Sequence, residues 1–282
     1  MSTVPAPTVA VVGHVEWVEF ATVDRVPAAG EIAHAGPAWG VAAGGGAVAA
    51  VQLARLAGTA RLFTVLGEDR LGQRCLDELT ELGVEVCAAR RGVQRRALTL
   101  VDAAGERTIT TLGPKLAPGP ADDLPWDLLA RCDAVFFVAG APEVLRAARM
   151  ARRVTATTRA LSTLEAARVG LDAVIGSGRD PAERYPARAL DPAPAAVIRT
   201  DGARGGSYET ADGRSGAWPA ARPPGKPIDS YGCGDSFAAG VTFGVARGEE
   251  LEAAISLGAR CGAACLTGRG PYAAQLGAAD DL

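Results

Sequence analysis

The chain has 282 residues with a formal net charge of −3 at pH 7, 48% hydrophobic and 22% charged. That length and mixture suit one large α/β domain, and the slight acidic balance argues against a nucleic-acid or anionic-membrane partner. No apolar run reaches the ~20 residues of a membrane-crossing helix, and Met1 to Thr8 carry neither a basic nor an apolar leader region, so a cytoplasmic location is expected.

Taken in order, Thr8 to Gly13 is a continuous apolar run ending at glycine, the pattern of a parallel strand buried on both faces. Ligands in such sheets bind beyond the carboxyl ends of the strands, which makes His14, Glu16 and Trp17 candidates for a substrate site. Residues 18–39 break into strand-like pieces, Val23 to Val26 and Glu31 to Ala35, and read as an excursion from the sheet. Ala43-Gly44-Gly45-Gly46 then leads into a helix that Gly58 stops. Its three glycines admit a close approach by a ligand, although taken alone a flexible loop before a tightly packed helix is the favoured reading.

Arg61 to Leu66 is a strand, and a helix follows from about Leu71 to Leu82. Val84 to Ala88 and Leu98 to Val101 are short strands, and residues 95–112 form a hairpin about Asp102-Ala103-Ala104-Gly105. Arg95 and Arg96 on it can grip a phosphate or carboxylate, although an exposed basic pair is the commoner outcome. Ala134 to Gly140 is a core strand, with a helix from Pro142 to about Arg152 and strands at Val154 to Thr158 and Asp172 to Gly176. Ala196 to Thr200 is another strand, running into the glycine-rich turn Asp201 to Gly206. An amphipathic helix spans Leu251 to Leu266, and a loop follows it. Alternating strands and helices imply a three-layer α/β fold with a mostly parallel sheet. Of the six cysteines four are scattered and only Cys261 and Cys265 sit one helical turn apart; with two histidines in the chain, they suit buried thiols in a reducing cytosol better than a zinc site.

The most informative stretch is Asp229-Ser230-Tyr231-Gly232-Cys233-Gly234-Asp235-Ser236-Phe237. Glycines at the start of an apolar helix leave its first N–H groups open at the positive end of the dipole, a socket for an anion. Asp235 beside that socket repels an anion unless it has work there, and taking a proton from a substrate hydroxyl is such work. A plain helix cap is the competing reading.

This stretch resembles the signature of the ribokinase-like (PfkB) carbohydrate kinases, Asp-Thr-x-Gly-Ala-Gly-Asp-x-Phe, with Ser230 for Thr and Cys233 for Ala. The resemblance implies a ribokinase-like three-layer α/β/α fold with a small β lid, a single domain over 1–282 with lid segments about 15–38 and 94–111. It implies an ATP- and Mg²⁺-dependent kinase acting on a sugar-like hydroxyl, with Asp235 as base and the backbone of Gly232, Cys233 and Gly234 as anion hole. His14, Glu16, Trp39, Gly44, Gly45, Gly46 and Arg96 would hold the substrate. Thr200, Gly202, Gly205, Asp229, Ser177 and Asp180 would serve the nucleotide, Asp180 also the magnesium. Ser177 and Asp180 stand where relatives place Asn-x-x-Glu. Val48 stands where the family's sugar-binding Asn would be, and its early substrate Asp has no match, so ribose is not the expected acceptor. A homodimer through the lid is implied by analogy. The alternatives are a nucleoside or phosphosugar kinase, which stacking aromatics or converging arginines would favour respectively, and a non-catalytic ligand-binding member of the fold.

Overall fold

The computed structural model describes residues 6–280; residues 1–5, which open the stretch read for a leader, and 281–282 lie outside it. The chain forms β1 (Val9–Val12), β2 (Glu16–Thr22), β3 (Ala38–Ala43), α1 (Gly45–Ala57), β4 (Ala60–Leu66), α2 (Arg70–Glu81) and β5 (Val84–Arg90). Next come β6 (Arg96–Val101), β7 (Arg107–Leu112), β8 (Ala134–Phe137), α3 (Pro142–Ala148), β9 (Arg153–Thr157), α4 (Leu161–Ala167) and β10 (Ala173–Ser177). The last elements are β11 (Ala196–Thr200), β12 (Gly206–Thr210), β13 (Ser215–Trp218), α5 (Cys233–Ala246) and α6 (Leu251–Cys265).

Nine strands make one sheet in the order β13-β12-β11-β10-β9-β8-β1-β4-β5. From β11 to β5 every neighbour is parallel, while β12 and β13 add an antiparallel edge. The apolar runs follow from this topology, because a parallel sheet is covered by helices on both faces. In β1, Val9 and Val11 join the core beneath α1, α5 and α6, whereas Ala10 and Val12 join the opposite core with α3 and α4. Helix α5 is apolar all round because it lies in the interior, and its glycines let α6 approach. A Cβ on Gly240 would stand 2.8 Å from the Cα of Gly258.

Four further strands form a separate sheet, β3-β2-β6-β7, with β2 and β6 parallel and antiparallel strands at either edge. The strand pieces expected at Val23–Val26 and Glu31–Ala35 are loop, and the pairing strands lie on either side of them at Glu16–Thr22 and Ala38–Ala43. Two glutamates disguise β2 as polar; each is matched by an arginine from the distant β6 region, Glu16 by Arg95 and Glu19 by Arg96. The helix from Pro142 ends at Ala148 rather than Arg152. Among the described residues no helix is long and apolar enough to cross a membrane.

Candidate active site

The carboxyl ends of adjacent parallel strands gather the site. His14 follows β1, Val138 follows β8, Arg159 lies just past β9, Ser177 ends β10 and Thr200 ends β11. Over this edge the N-termini of α1 and α5 meet. Asp235 lies in the first turn of α5, and a Cβ on Gly45 would stand 3.0 Å from its Oδ1 and 3.1 Å from Val138 Cγ1. A Cβ on Gly46 would be 2.6 Å from the carbonyl oxygen of His14. The glycine loop is therefore bare because Asp235, β1 and the segment after β8 all press against it. Gly44 has a φ of 88° and donates its N–H to the Tyr231 hydroxyl at 3.3 Å.

The two signature glycines differ in their surroundings. Gly232 caps α5 with a φ of 81°, and a Cβ there would meet Val48 Cγ1 at 3.0 Å and Pro271 Cβ at 3.1 Å. A Cβ on Gly234 would meet nothing within 4 Å. The Cys233 N–H already donates to the Ser230 carbonyl at 3.4 Å, so the amides of Gly234 and Asp235 are the ones left at the open, positive end of the helix. Val48 itself is fully buried beneath Gly232, so the position expected for a sugar-binding side chain is used for packing.

The charges around Asp235 set its chemistry. Burial pushes its pKa from 3.8 up to about 6, Glu183 and Glu16 push the same way, and Arg107 and Arg159 oppose them. On the β1 side, Glu16 is buried, with Arg95 Nε at 3.1 Å and His14 Nε2 at 3.8 Å from its Oε1. Burial and the cations Lys115, Arg95 and Arg159 hold His14 down at a pKa of about 3, so its imidazole is neutral.

Toward β10 and β11, Ser177 Oγ accepts from the N–H groups of Arg179 and Asp180 at 3.2 and 3.3 Å. Asp180 accepts from Ala182 N–H at 2.9 Å and from Arg159 at 2.5 Å. Glu183 accepts from Ser177 N–H at 2.7 Å, and its other oxygen lies 2.7 Å from Arg159 Nε. The Arg159 guanidinium thus sits between two carboxylates, a position that fits a cation. Among the described residues there is no group of three or more His, Cys, Asp or Glu side chains placed to hold a metal. A pocket of about 580 Å³ opens beside the β11 turn, lined by Gly178, Arg179, Thr200, Asp201, Arg204 and Ser207. Gly202 begins the short helical turn there with a φ of 57°. A Cβ on Gly205 would be 1.9 Å from the Trp218 carbonyl oxygen, so the chain itself requires that glycine. Asp229 is buried, and its two oxygens accept from Tyr231 N–H at 2.8 Å and Gly270 N–H at 3.0 Å. It ties the signature to the loop after α6.

His14, Glu16, Gly44, Gly45, Gly46 and Asp235 come together, with Thr200, Ser177 and Asp180 along the same edge. Trp39 and Arg96 are engaged elsewhere. Trp39 stacks on Phe20 at 4.9 Å with Arg269 3.8 Å over its ring, and Arg96 bonds Glu19 at 2.9 Å. Trp17 is buried against Arg74, 4.0 Å from its ring centroid. Sequence reasoning missed Arg107, Lys115, Arg159 and Glu183. Arg159 was within reach, because it lies just past the carboxyl end of a strand, as His14 does. Lys115 and Arg107 carry no local signal.

The model of the pfkB family carbohydrate kinases matches residues 6–163 and 179–276. No curated protein matches the chain. Among solved structures, a microbiome-derived acarbose kinase is 21% identical with a TM-score of 0.82, over 97% of both chains. The ribokinase of Arabidopsis thaliana, complexed with ribose and ATP, is 18% identical with a TM-score of 0.74 over 96% of both chains. The adenosine kinase of Sinorhizobium meliloti is 20% identical with a TM-score of 0.75, over 94% of this chain and 95% of that one. These likenesses establish the ribokinase-like fold, and the family match runs through both the glycine loop and the signature: the chain belongs to the pfkB family of carbohydrate kinases.

Proposed function

We propose that the protein transfers the terminal phosphoryl group of ATP to a hydroxyl of a small sugar-like molecule, with Asp235 as the general base. The observation that carries this reading is the position of Asp235, in the first turn of α5, against the bare glycine loop and with a pKa of about 6. A carboxylate poised there is ionised at neutral pH yet basic enough to take a hydroxyl proton as the new P–O bond forms. The first-turn amides of α5 then face the charge that develops on the transferring group. Gly44, Gly45 and Gly46 form the floor on which the acceptor lies, and His14 and Glu16 line its wall.

The nucleotide occupies the pocket beside β11, with Thr200 and the open backbone at Gly202 near its phosphates and the cations of Arg179 and Arg204 at hand. Asp229 acts there indirectly, by fixing the loop at Gly270. Asp180 and Glu183 would hold magnesium, which supplies charge neutralisation to the phosphates when bound. The four-stranded sheet is the lid, and its two excursions cover the acceptor. A second copy of the chain is the partner we assign to the lid's outer face, where Leu98 and Leu112 stay exposed beside the Arg96–Glu19 pair. All six cysteines are free, which supports the reducing cytoplasm as its compartment. A nucleoside acceptor is disfavoured because Trp17 and Trp39 are already covered by neighbouring side chains.

Asp235→Asn keeps the shape and removes the basicity. Turnover should fall ~10²–10⁴-fold, the range typical of losing a general base, while ATP affinity is retained or improves. Steady-state kinetics with an accepted sugar, beside calorimetric ATP binding, check both halves. Near-normal turnover would mean that Asp235 is only a cap.

A further inference from the structure

Between Ser230 and Gly232 the signature carries a tyrosine, and the proposed transfer gives it no task. Its backbone is committed on both sides: the Tyr231 N–H donates to Asp229 Oδ1 at 2.8 Å, and its carbonyl accepts from the Cys265 thiol at 3.5 Å. Phe20 of β2 meets its ring edge-on at 4.9 Å between centroids, and Phe20 stacks in turn on Trp39 of β3. The residue is only 6% exposed. Backbone and ring are both held, so the hydroxyl is delivered to one fixed place.

That place is the corner of the recess. The hydroxyl oxygen accepts the Gly44 N–H at 3.3 Å. A Cβ on Gly44 would stand 3.3 Å from Glu16 Cγ and 3.4 Å from His14 Cδ2, and one on the next residue, Gly45, 3.0 Å from Asp235 Oδ1. The phenol oxygen thus lies where the glycine floor, the His14–Glu16 wall and Asp235 converge.

A tyrosine hydroxyl both accepts and donates. Gly44 uses its accepting side, and among the described residues the phenol proton meets no acceptor. Burial pushes the pKa of this phenol up, with Glu16 and Asp235 adding to it, so the proton stays in place through neutral pH. A buried donor without a partner is rare and costly. The Gly44 amide, by donating to the oxygen, also polarises it to donate onward. Val48 offers no polar group to the recess, because it packs beneath Gly232.

We propose that Tyr231 is a substrate-binding residue, whose hydroxyl passes the hydrogen bond of the Gly44 amide on to the acceptor by donating to a hydroxyl oxygen beside the one that Asp235 deprotonates. This rests on the kinase reading above and adds the residue that orients the acceptor. Tyr231 then sets which hydroxyl faces Asp235, and its ring ties that choice to the small sheet through Phe20.

The test is a cycle between one oxygen on the protein and one on the sugar. D-Glucose, D-fructose, D-ribose and myo-inositol are screened for ATP-dependent phosphorylation. The best of them is compared with its monodeoxy analogues on the wild-type protein and on Tyr231→Phe, which keeps the ring against Phe20 and removes only the hydroxyl. KM for the sugar should rise about 5–20-fold in Tyr231→Phe, the worth of one hydrogen bond, with kcat and the KM for ATP changed less than about threefold. One deoxy analogue should show that same loss on the wild-type protein and no further loss on Tyr231→Phe. A tyrosine that only packs the loop would weaken the sugar and every analogue by one common factor, so additive losses at every position overturn the proposal.

Calorimetric binding of the same compounds, in the presence of a non-hydrolysable ATP analogue, separates this inference from the kinase reading. Losses coupled at one hydroxyl, without turnover, uphold Tyr231 as a binding residue and sink the kinase. Turnover with additive losses sinks the role of Tyr231 and leaves the kinase standing. Binding of none of the four compounds sinks both.

Discussion

Asp235 carries a conflict between stability and function that pH can expose. Its folded pKa of about 6 lies above the ordinary 3.8, so the folded chain holds this proton more tightly than the unfolded one. Stability from this group is therefore greatest at low pH and declines as pH rises through about 4 to 6. At neutral pH the ionised carboxylate is a liability to the fold, and Asp235→Asn should raise the melting temperature. The gain should shrink as pH falls through about 6 to 4 and vanish only below the unfolded value of 3.8, where Asp235 is protonated in both states. The proposed catalysis runs the other way, because a base works only when ionised. The logarithm of kcat/KM should climb with unit slope below about pH 6 and flatten above it. Melting curves of both forms from pH 4 to 8, laid beside the rate profile, check both trends. A rate profile flat through pH 6 would remove Asp235 from proton transfer.

At the N-terminus of α5 a folding requirement meets the proposed chemistry. Gly232 needs its left-handed backbone and its closeness to Val48 and Pro271. Gly232→Ala should destabilise the protein by roughly 1–3 kcal/mol, from left-handed strain and crowding. Gly234 has open space above it, and Gly234→Val should change stability by less than about 1 kcal/mol while crowding the amides to which the proposed transfer assigns the phosphoryl group. Denaturant titration and turnover on the two variants should therefore rank oppositely. The core strands were legible in the sequence because a sheet covered on both faces needs unbroken apolar runs, as in β1 and β8. The signature and glycine loop were legible because bare backbone has no disguise. What stayed hidden depends on partners far along the chain. Glu16 and Glu19 made β2 look like loop until Arg95 and Arg96 were brought beside them. Lys115, Arg107 and Arg159 become neighbours of the site only once the order β9-β8-β1 is set and the small sheet is laid over it.

At the scale of the whole molecule, the small sheet reaches the large domain's signature through its outer hairpin. All six residues of β7 are exposed, so few packing contacts hold this strand down. Yet at its start Arg107 Nη1 donates to Ser230 Oγ at 2.8 Å and to the Ser230 carbonyl at 3.1 Å. Ser230 Oγ in turn donates to the Gly105 carbonyl at 3.4 Å. A Cβ on Gly105 would press to 2.8 Å from the Ile228 carbonyl oxygen. The hairpin tip thus rests on the three residues Ile228 to Ser230, just before the helix that carries Asp235. Hydrogen bonds of this exposed kind add little to global stability, since water competes for the guanidinium. They matter instead for where the hairpin spends its time. Arg107→Gln should leave the melting temperature within about 2 °C and the large sheet's amide protection intact, but speed hydrogen exchange across residues 96–112. If that sheet closes over the acceptor, KM for the acceptor should rise about 3–10-fold, the worth of one modest hydrogen bond, with a smaller effect on ATP. Because Arg107 also lowers the pKa of Asp235, its loss should move the inflection of the rate profile to higher pH. Faster exchange with an unmoved inflection would make Arg107 a latch alone; unchanged exchange with a moved inflection would make it part of the active site's electrostatics and no latch.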